Sequence, residues 1–277
     1  MLKTLKRLVL IARPSGWLPI ASVFAGGALT GHQHLGPAVI LGLLFTTVPL
    51  GLIAYGVNDI SDKEADARNY RKGKMTGALL TPDDEKLIKW AAPLLALAYL
   101  AFNLLSNRPI PAVCVFIICL LSLAYSLEPL RLKTWLGLDI AVNGVGMVML
   151  FIYGFTAAST VTHPPLPAPH MIGIIFFAAA AFHSLFALAD YEVDLAHKVS
   201  TTVVRLGKSN AIGLTSGFFL IDFILSVKSS RYLMLYFGLC ILAMLFLYLK
   251  RSSVVIYRTL GVLALLIPVV AAKMFVF

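Results

Sequence analysis

Residues 38–57 read AVILGLLFTTVPLGLIAYGV, and residues 58–66 follow at once as NDISDKEAD. Twenty residues without a charge are long enough for a helix to cross the roughly 30 Å hydrocarbon core of a bilayer. The four acids packed behind them mark where the chain returns to water. A hydrophobic helix that ends in a cluster of carboxylates is the unit from which the rest of the chain is read.

The apolar half of that unit recurs. Runs at about 15–31, 38–57, 88–105, 110–127, 139–158, 171–189, 211–227, 232–249 and 256–276 make nine in all. Only 13% of the residues are charged, about half the share of a soluble domain. None of the runs alternates polar with apolar residues as a barrel strand does, and each is too long to be one. Helices are the remaining way to satisfy every backbone group in lipid. The expected fold is all-α and polytopic, with nine transmembrane helices in a single domain spanning 1–277.

The net charge of +10 does not point to nucleic acid, because the cations lie in short loops between apolar runs. With the N-terminus in the cytoplasm, that side holds 19 of the 23 Lys and Arg residues, leaving out Arg108, Lys228, Arg231 and Lys273. This follows the positive-inside rule. Nine spans then put the C-terminus outside. Twelve of the thirteen acids share the cytoplasmic side, Asp222 being the exception. No cleavable signal peptide is expected: Lys3, Lys6, Arg7 and Arg13 alternate with Leu2, Leu5, Leu8 and Val9 at helical spacing, the pattern of an amphipathic interfacial helix. Thr81-Pro82-Asp83-Asp84 reads as an N-cap, a first-turn proline and first-turn acids. Cys114, Cys119 and Cys240 sit inside apolar runs without metal-ligand spacing and are expected to pack as small hydrophobes.

The acidic half of the unit recurs too. If the helix continues past 57, Asn58, Asp62 and Asp66 share one face at i, i+4, i+8, with Asp59 beside them. A second cluster, Asp190-Tyr191-Glu192-Val193-Asp194, ends the sixth run, and Asp190 and Asp194 are again i, i+4. Asp62 and Asp190 lie 128 positions apart, as do Asp66 and Asp194, and the runs that carry them point the same way. This looks like a duplicated four-helix unit with a ninth helix appended. Same-face carboxylates repel one another, and a cation between them removes that cost. Carboxylate and amide oxygens are hard ligands that favour Mg²⁺ or Mn²⁺ over zinc. Two such clusters facing one another would hold metal ions on a diphosphate. Lys63, Arg68, Arg71, Lys72, Lys74, Arg131, Lys133, Lys198, Arg205 and Lys208 crowd the same side, where they serve topology, lipid headgroups or a diphosphate.

These residues also match a family. NDISDKEAD resembles the N-D-x-x-D-x-x-x-D signature of UbiA superfamily intramembrane prenyltransferases, and DYEVD their second aspartate motif. The flanks agree at Arg13-Pro14, at Tyr125-Ser126, at Pro129-Leu130-Arg131 with Lys133, and at Thr201-Thr202-Val203-Val204-Arg205-Leu206-Gly207. The resemblance covers about 10–275. It implies nine helices around a central cavity and Mg²⁺-dependent transfer of an isoprenyl chain from a prenyl diphosphate to a lipophilic acceptor in the lipid bilayer. It would give Asn58, Asp62, Asp66, Asp190 and Asp194 to the metals, with the four aspartates catalytic. Tyr125, Arg131, Lys133, Lys74, Lys198, Asp59 and Arg13 would lie toward the diphosphate. Lys72-Gly73-Lys74-Met75-Thr76-Gly77 departs from the Arg-Pro that follows the first motif in relatives acting on quinone-ring precursors, and Glu128 precedes Pro129 where a small residue or proline is usual. The 66–77 stretch and His183 look more like the lycopene elongase branch, which implies a carotenoid acceptor; a satisfied buried histidine is an equal reading of His183. Asp139 and Asn143, an i, i+4 pair entering the fifth run, are expected in the site wall or in helix packing.

Other functions fit less well. An aromatic quinone precursor or a glycerophosphate lipid remains an alternative acceptor. CDP-alcohol phosphotransferases also use membrane aspartates, but in one glycine-punctuated run along a single helix. A cation-coupled transporter would place its acids near the midplane on broken helices, whereas these lie at the cytoplasmic ends.

Overall fold

The computed structural model describes residues 2–63, 78–159, 165–196, 199–250, 255, 256, 258–263, 266 and 267. Nine helices are named here: α1 Leu2–Ile11, α2 Trp17–Thr30, α3 Pro37–Ser61, α4 Pro82–Leu105, α5 Pro109–Ser126, α6 Leu138–Phe155, α7 Pro169–Ala196, α8 Thr202–Ser226 and α9 Arg231–Lys250. Among the described residues there are no strands. Helices α3 to α9 are seven that are long and apolar enough to cross a membrane. The bent pair Thr4–Ile11 and Pro14–Thr30, at 47°, brings the number to eight. The expected ninth span, 256–276, falls largely outside the described residues. The chain is an integral, multi-pass membrane protein.

Eight of the expected runs coincide with helices, and the differences are at their ends. Residues 2–11 form the expected amphipathic helix, but it joins α2 through a bend rather than standing alone. Pro14 has no N–H to continue α1, and Arg13 takes the left-handed conformation, φ 50°. The helix α4 starts as its sequence dictates: Thr81 Oγ1 accepts from the Asp84 N–H at 3.3 Å, and Asp84 Oδ2 accepts from the Thr81 N–H at 2.8 Å. Arg7 pairs with the same Asp84. The helix α3 is broken at Thr46 and Thr47, whose hydroxyls donate to the carbonyls of Leu43 and Leu44 at 2.6 Å. Side chains commonly resatisfy freed backbone groups in this way in membrane helices. Its segment Leu52–Gly56 is wound as a wide π turn.

The chain divides into two compact units. The first comprises Met1–Arg131 and Met149–Leu166, the second Leu132–Val148 and Pro167–Phe277. In the first unit, α2 meets the end of α6 backbone to backbone. A Cβ on Gly27 would lie 2.1 Å from the Phe151 carbonyl oxygen, one on Gly31 2.2 Å from that of Phe155, and one on Gly154 2.0 Å from that of Phe24. Small residues four apart permit this approach in lipid, where apolar burial gives no driving force between helices. Around the crossing, Tyr153 packs against Phe24 (5.0 Å between ring centroids) and Phe45 (6.0 Å), and Phe45 against Tyr99 (4.8 Å).

The second unit is built on α7, α8 and α9. Leu185, Leu188, Ile212, Phe219, Phe237, Met244 and Leu247 form its core, joined by Ile256, Leu260 and Leu263. The Tyr236 hydroxyl donates to the Leu263 carbonyl at 3.0 Å. Cys114 and Cys240 are buried and all three cysteines are unpaired, as expected of small hydrophobes. Asp222 is fully buried, and among the described residues neither carboxylate oxygen has a hydrogen-bond partner.

Candidate active site

Each unit carries one acidic cluster. In the first, the wide turn at Leu52–Gly56 delivers the chain into Val57–Ser61, and the helix stops at Ser61. Single π turns inside α-helices are frequent at functional sites. Asp62 follows in a non-helical conformation, its N–H still donating to the Asn58 carbonyl at 3.0 Å. Asn58 and Asp62 therefore lie one turn apart, as the i, i+4 spacing requires. Asp66, expected one turn further, lies outside the described residues, as do Lys74 and the other cations of that loop.

Several contacts among the described residues hold this cluster. The Ser126 hydroxyl, at the end of α5, donates to Asn58 Oδ1 at 3.3 Å. Arg131 Nη2 donates to Asp62 Oδ1 and Nη1 to Glu128 Oε1, each at 3.3 Å. Asp59 is 1% exposed and pairs with Arg13, whose guanidinium lies 4.8 Å from the Tyr55 ring centroid. A buried carboxylate needs such a partner to offset its desolvation. In this structure Arg13 and Asp59 are engaged with one another. Lys63 pairs with Glu85. Tyr125 occupies the last turn of α5, adjacent to Ser126.

In the second unit, Asp190 and Asp194 stand one turn apart near the end of α7, which runs to Ala196, well past the expected end at 189. Between them, Glu192 accepts from Lys208 Nζ at 2.6 Å, and that ammonium lies 5.2 Å from the Tyr191 ring centroid. His183 sits two turns earlier on the same face of α7. Asn143 Nδ2 donates to the Asp139 carbonyl within α6 at 2.9 Å. Asp139, 1% exposed, is engaged by Thr202. Lys133 lies in the short turn Leu132–Thr134, and Lys198 lies outside the described residues.

The sequence had no local signal for Ser126 as the partner of Asn58, whereas Glu128 and Arg131 lie only three residues apart. The glutamate that departs from the resembled pattern is an ion-pair member. Among the described residues no three histidine, cysteine or acidic side chains converge on one point. The oxygen donors that are present, Asn58 and Asp62 in one unit and Asp190 and Asp194 in the other, are the hard set that fits Mg²⁺, an ion that takes few protein ligands and fills its other positions with water and phosphate.

The fold is that of a polytopic helical membrane protein with a carboxylate cluster at the end of a span in each unit. The UbiA prenyltransferase family matches residues 20–274, and the chain belongs to that family; it is a prenyltransferase. Its sequence is 26% identical over 225 residues to a lycopene elongase/hydratase of Corynebacterium glutamicum, covering 81% of this chain and 78% of that one. It is 29% identical over 229 residues to a lycopene elongase/hydratase of Halobacterium salinarum, covering 78% and 76%. Among solved structures, a UbiA homologue from Archaeoglobus fulgidus bound to GPP and Mg²⁺ shares the fold, with a TM-score of 0.68 and 20% identity over 98% of this chain and all of that one.

Proposed function

We propose that the protein transfers an isoprenyl group from a prenyl diphosphate to lycopene or a related carotenoid, in a Mg²⁺-dependent reaction at the cytoplasmic face. The N-terminus would then be cytoplasmic and the C-terminus outside, and 1–277 would act as one domain. The observation that carries the acceptor is the naming of both relatives as lycopene elongase/hydratases, in line with the 66–77 stretch and His183.

In this reading Asn58, Asp62, Asp66, Asp190 and Asp194 hold Mg²⁺, which when bound neutralises charge on the diphosphate leaving group. Arg131, Lys133, Lys74 and Lys198 add cations for the same oxygens, Arg131 by its fork of N–H donors. Tyr125 lies beside the diphosphate. Arg13, paired with Asp59, adds its charge on the diphosphate side. The allylic C–O bond breaks with its electron pair going to the diphosphate. The terminal alkene of the acceptor attacks the allylic carbon, a C–C bond forms, and the new cation loses a proton to a nearby carboxylate or takes up water. His183 and Asn143 face the acceptor side of this chemistry. Burial of the cation from water until it reacts is what the apolar spans supply.

Expression in a lycopene-producing host tests the reading. Pigment extracts are expected to contain species longer than lycopene by one or two five-carbon units. Unchanged lycopene, with a ring acceptor such as 4-hydroxybenzoate or a glycerophosphate lipid prenylated instead, would overturn the acceptor and leave the reaction class standing.

A further inference from the structure

Where the second acidic motif ends, the chain turns back and is fastened at several points within its own unit. The Val199 N–H donates to the Asp194 carbonyl at 2.8 Å. Thr201 caps α8, its hydroxyl accepting from the Val204 N–H at 3.3 Å. The next residue carries the main fastening. The Thr202 N–H donates to Asp139 Oδ2 at 3.0 Å, and its hydroxyl donates to Asp139 Oδ1. The same hydroxyl oxygen accepts from the Gly137 N–H at 2.6 Å. Arg205 adds bonds to the Thr134 carbonyl at 2.8 Å and to Ser200 Oγ at 2.7 Å.

Two features make this more than an ordinary cap. Asp139 and Thr202 are 1% and 3% exposed, so a carboxylate with both oxygens engaged is buried at the start of α6, where losing one partner leaves it unsatisfied. The turn they hold is also separated from the rest of α8 by Gly207, at φ 74° and ψ 157°. A left-handed residue interrupts the helix there, and only glycine adopts it at little cost. Residues Thr202–Leu206 therefore take their orientation from Asp139 and Thr134, not from the length of α8 beyond the break. Immediately after the break, Lys208 reaches Glu192 and Tyr191, which lie between Asp190 and Asp194 in the sequence. The chain that leaves Asp194 is thus fixed ahead of the break by Asp139, and returns to the acidic motif just past it.

We propose that Asp139 and Thr202 are positioning residues for the second acidic motif: their hydrogen-bond pair fixes the chain on the exit side of Asp194 and so the aim of the Asp190 and Asp194 carboxylates. The inference rests on the reading that this motif serves Mg²⁺-dependent prenyl transfer. Outer partners of metal-binding side chains change metal affinity or activity by roughly 10–100-fold when removed.

The experiment uses the purified full chain in lipid nanodiscs, with the rate of prenyl transfer measured against Mg²⁺ and against prenyl diphosphate. Thr202→Val is expected to raise the half-saturating Mg²⁺ concentration by about tenfold, while Thr202→Ser, which keeps the hydroxyl, stays within about twofold of the parent. Asp139→Asn, which keeps one of the two accepting oxygens, replaces the other with an N–H donor and loses the charge, falls between them. A Thr202→Val protein with a lowered Tm and an unchanged Mg²⁺ requirement would show a purely structural cap and overturn the proposal. If Thr202→Val does not fold, Asp139→Asn decides: a parental Mg²⁺ requirement in that variant overturns it. Asp190→Asn separates the two levels. Full turnover in Asp190→Asn defeats the reading of the motif itself, whereas a dead Asp190→Asn beside an unmoved Thr202→Val defeats only the positioning role.

Discussion

Removing the Ser126 hydroxyl is the most informative small perturbation of the first acidic cluster. Ser126 is 1% exposed and its Oγ donates to Asn58 Oδ1 at 3.3 Å, which fixes which way the Asn58 amide points. A neutral hydrogen bond of this kind contributes about 0.5–1.5 kcal/mol. At 3.3 Å the contact is long for an O–H···O bond, so the lower part of that range, about 0.5–1 kcal/mol, applies. If Asn58 is a metal ligand, Ser126→Ala should weaken Mg²⁺ activation by about two- to fivefold, with little change in fold because alanine keeps the packing. The assay is a Mg²⁺ titration of prenyl transfer for the parent, Ser126→Ala, Asn58→Ala and the double variant. Because Ser126 acts through Asn58, the serine change should have no further effect once Asn58 is gone. Equal penalties in both backgrounds would refute the reasoning and place Ser126 in a separate role.

Excess chelator is expected to abolish prenyl transfer and added Mg²⁺ to restore it; full turnover in chelator would show that the acidic clusters do not work through a metal. Asp62→Ala and Asp190→Ala should each remove activity while the protein still folds, the loss of the long, partly exposed Arg131–Asp62 contact costing at most about 1 kcal/mol; near-parental turnover in either would break the two-cluster assignment. Gly154→Ala should lower stability by about 1–3 kcal/mol, because its Cβ would lie 2.0 Å from the Phe24 carbonyl oxygen and two backbones would have to separate; an unchanged Tm in detergent would contradict the close crossing. Asp222→Leu should raise stability by about 1–3 kcal/mol, the penalty of a buried polar group without partners, as read from thermal unfolding; a lower Tm would show that the carboxylate holds something in place.

Hydropathy made the spans legible because lipid leaves the chain so few ways to satisfy its backbone, and eight of the expected runs are helices. The acidic clusters were legible because carboxylates at a span's end are costly without a reason to be there. Helix ends were less so. The polar residues Arg205, Lys208 and Asn210 moved the expected start of the seventh run to 211, whereas a capped helical turn begins at Thr202 and, past the break at Gly207, the rest of α8 runs on to Ser226; capping and interface solvation carry helical structure beyond the apolar part. The pairings were not legible at all. Arg13 with Asp59, Ser126 with Asn58 and Thr202 with Asp139 join residues 46, 68 and 63 positions apart, and only the packing of one helix on another brings such partners together. The same holds for Gly27 and Gly154, whose role lies in a backbone approach that no local pattern announces.

The wide turn at Leu52–Gly56 has a further consequence for how this sequence tolerates length change. A π turn accommodates one residue more than the α-helix around it would. Deleting one residue there, Ala54 for instance, would let the segment close into regular α-helix. Each residue of such a helix turns the chain by about 100° and advances it 1.5 Å. Because the wide turn has already absorbed one residue, Asn58 and Asp62 would keep roughly their present orientation toward Ser126 and Arg131, whereas removing a second residue from the regular helix that results would rotate them by about 100°. The orientation of the motif is therefore encoded by the number of residues ahead of it as much as by their identity. A single in-frame codon deletion in this stretch should therefore be tolerated, and a double deletion should silence the enzyme while leaving every side chain of the motif in place.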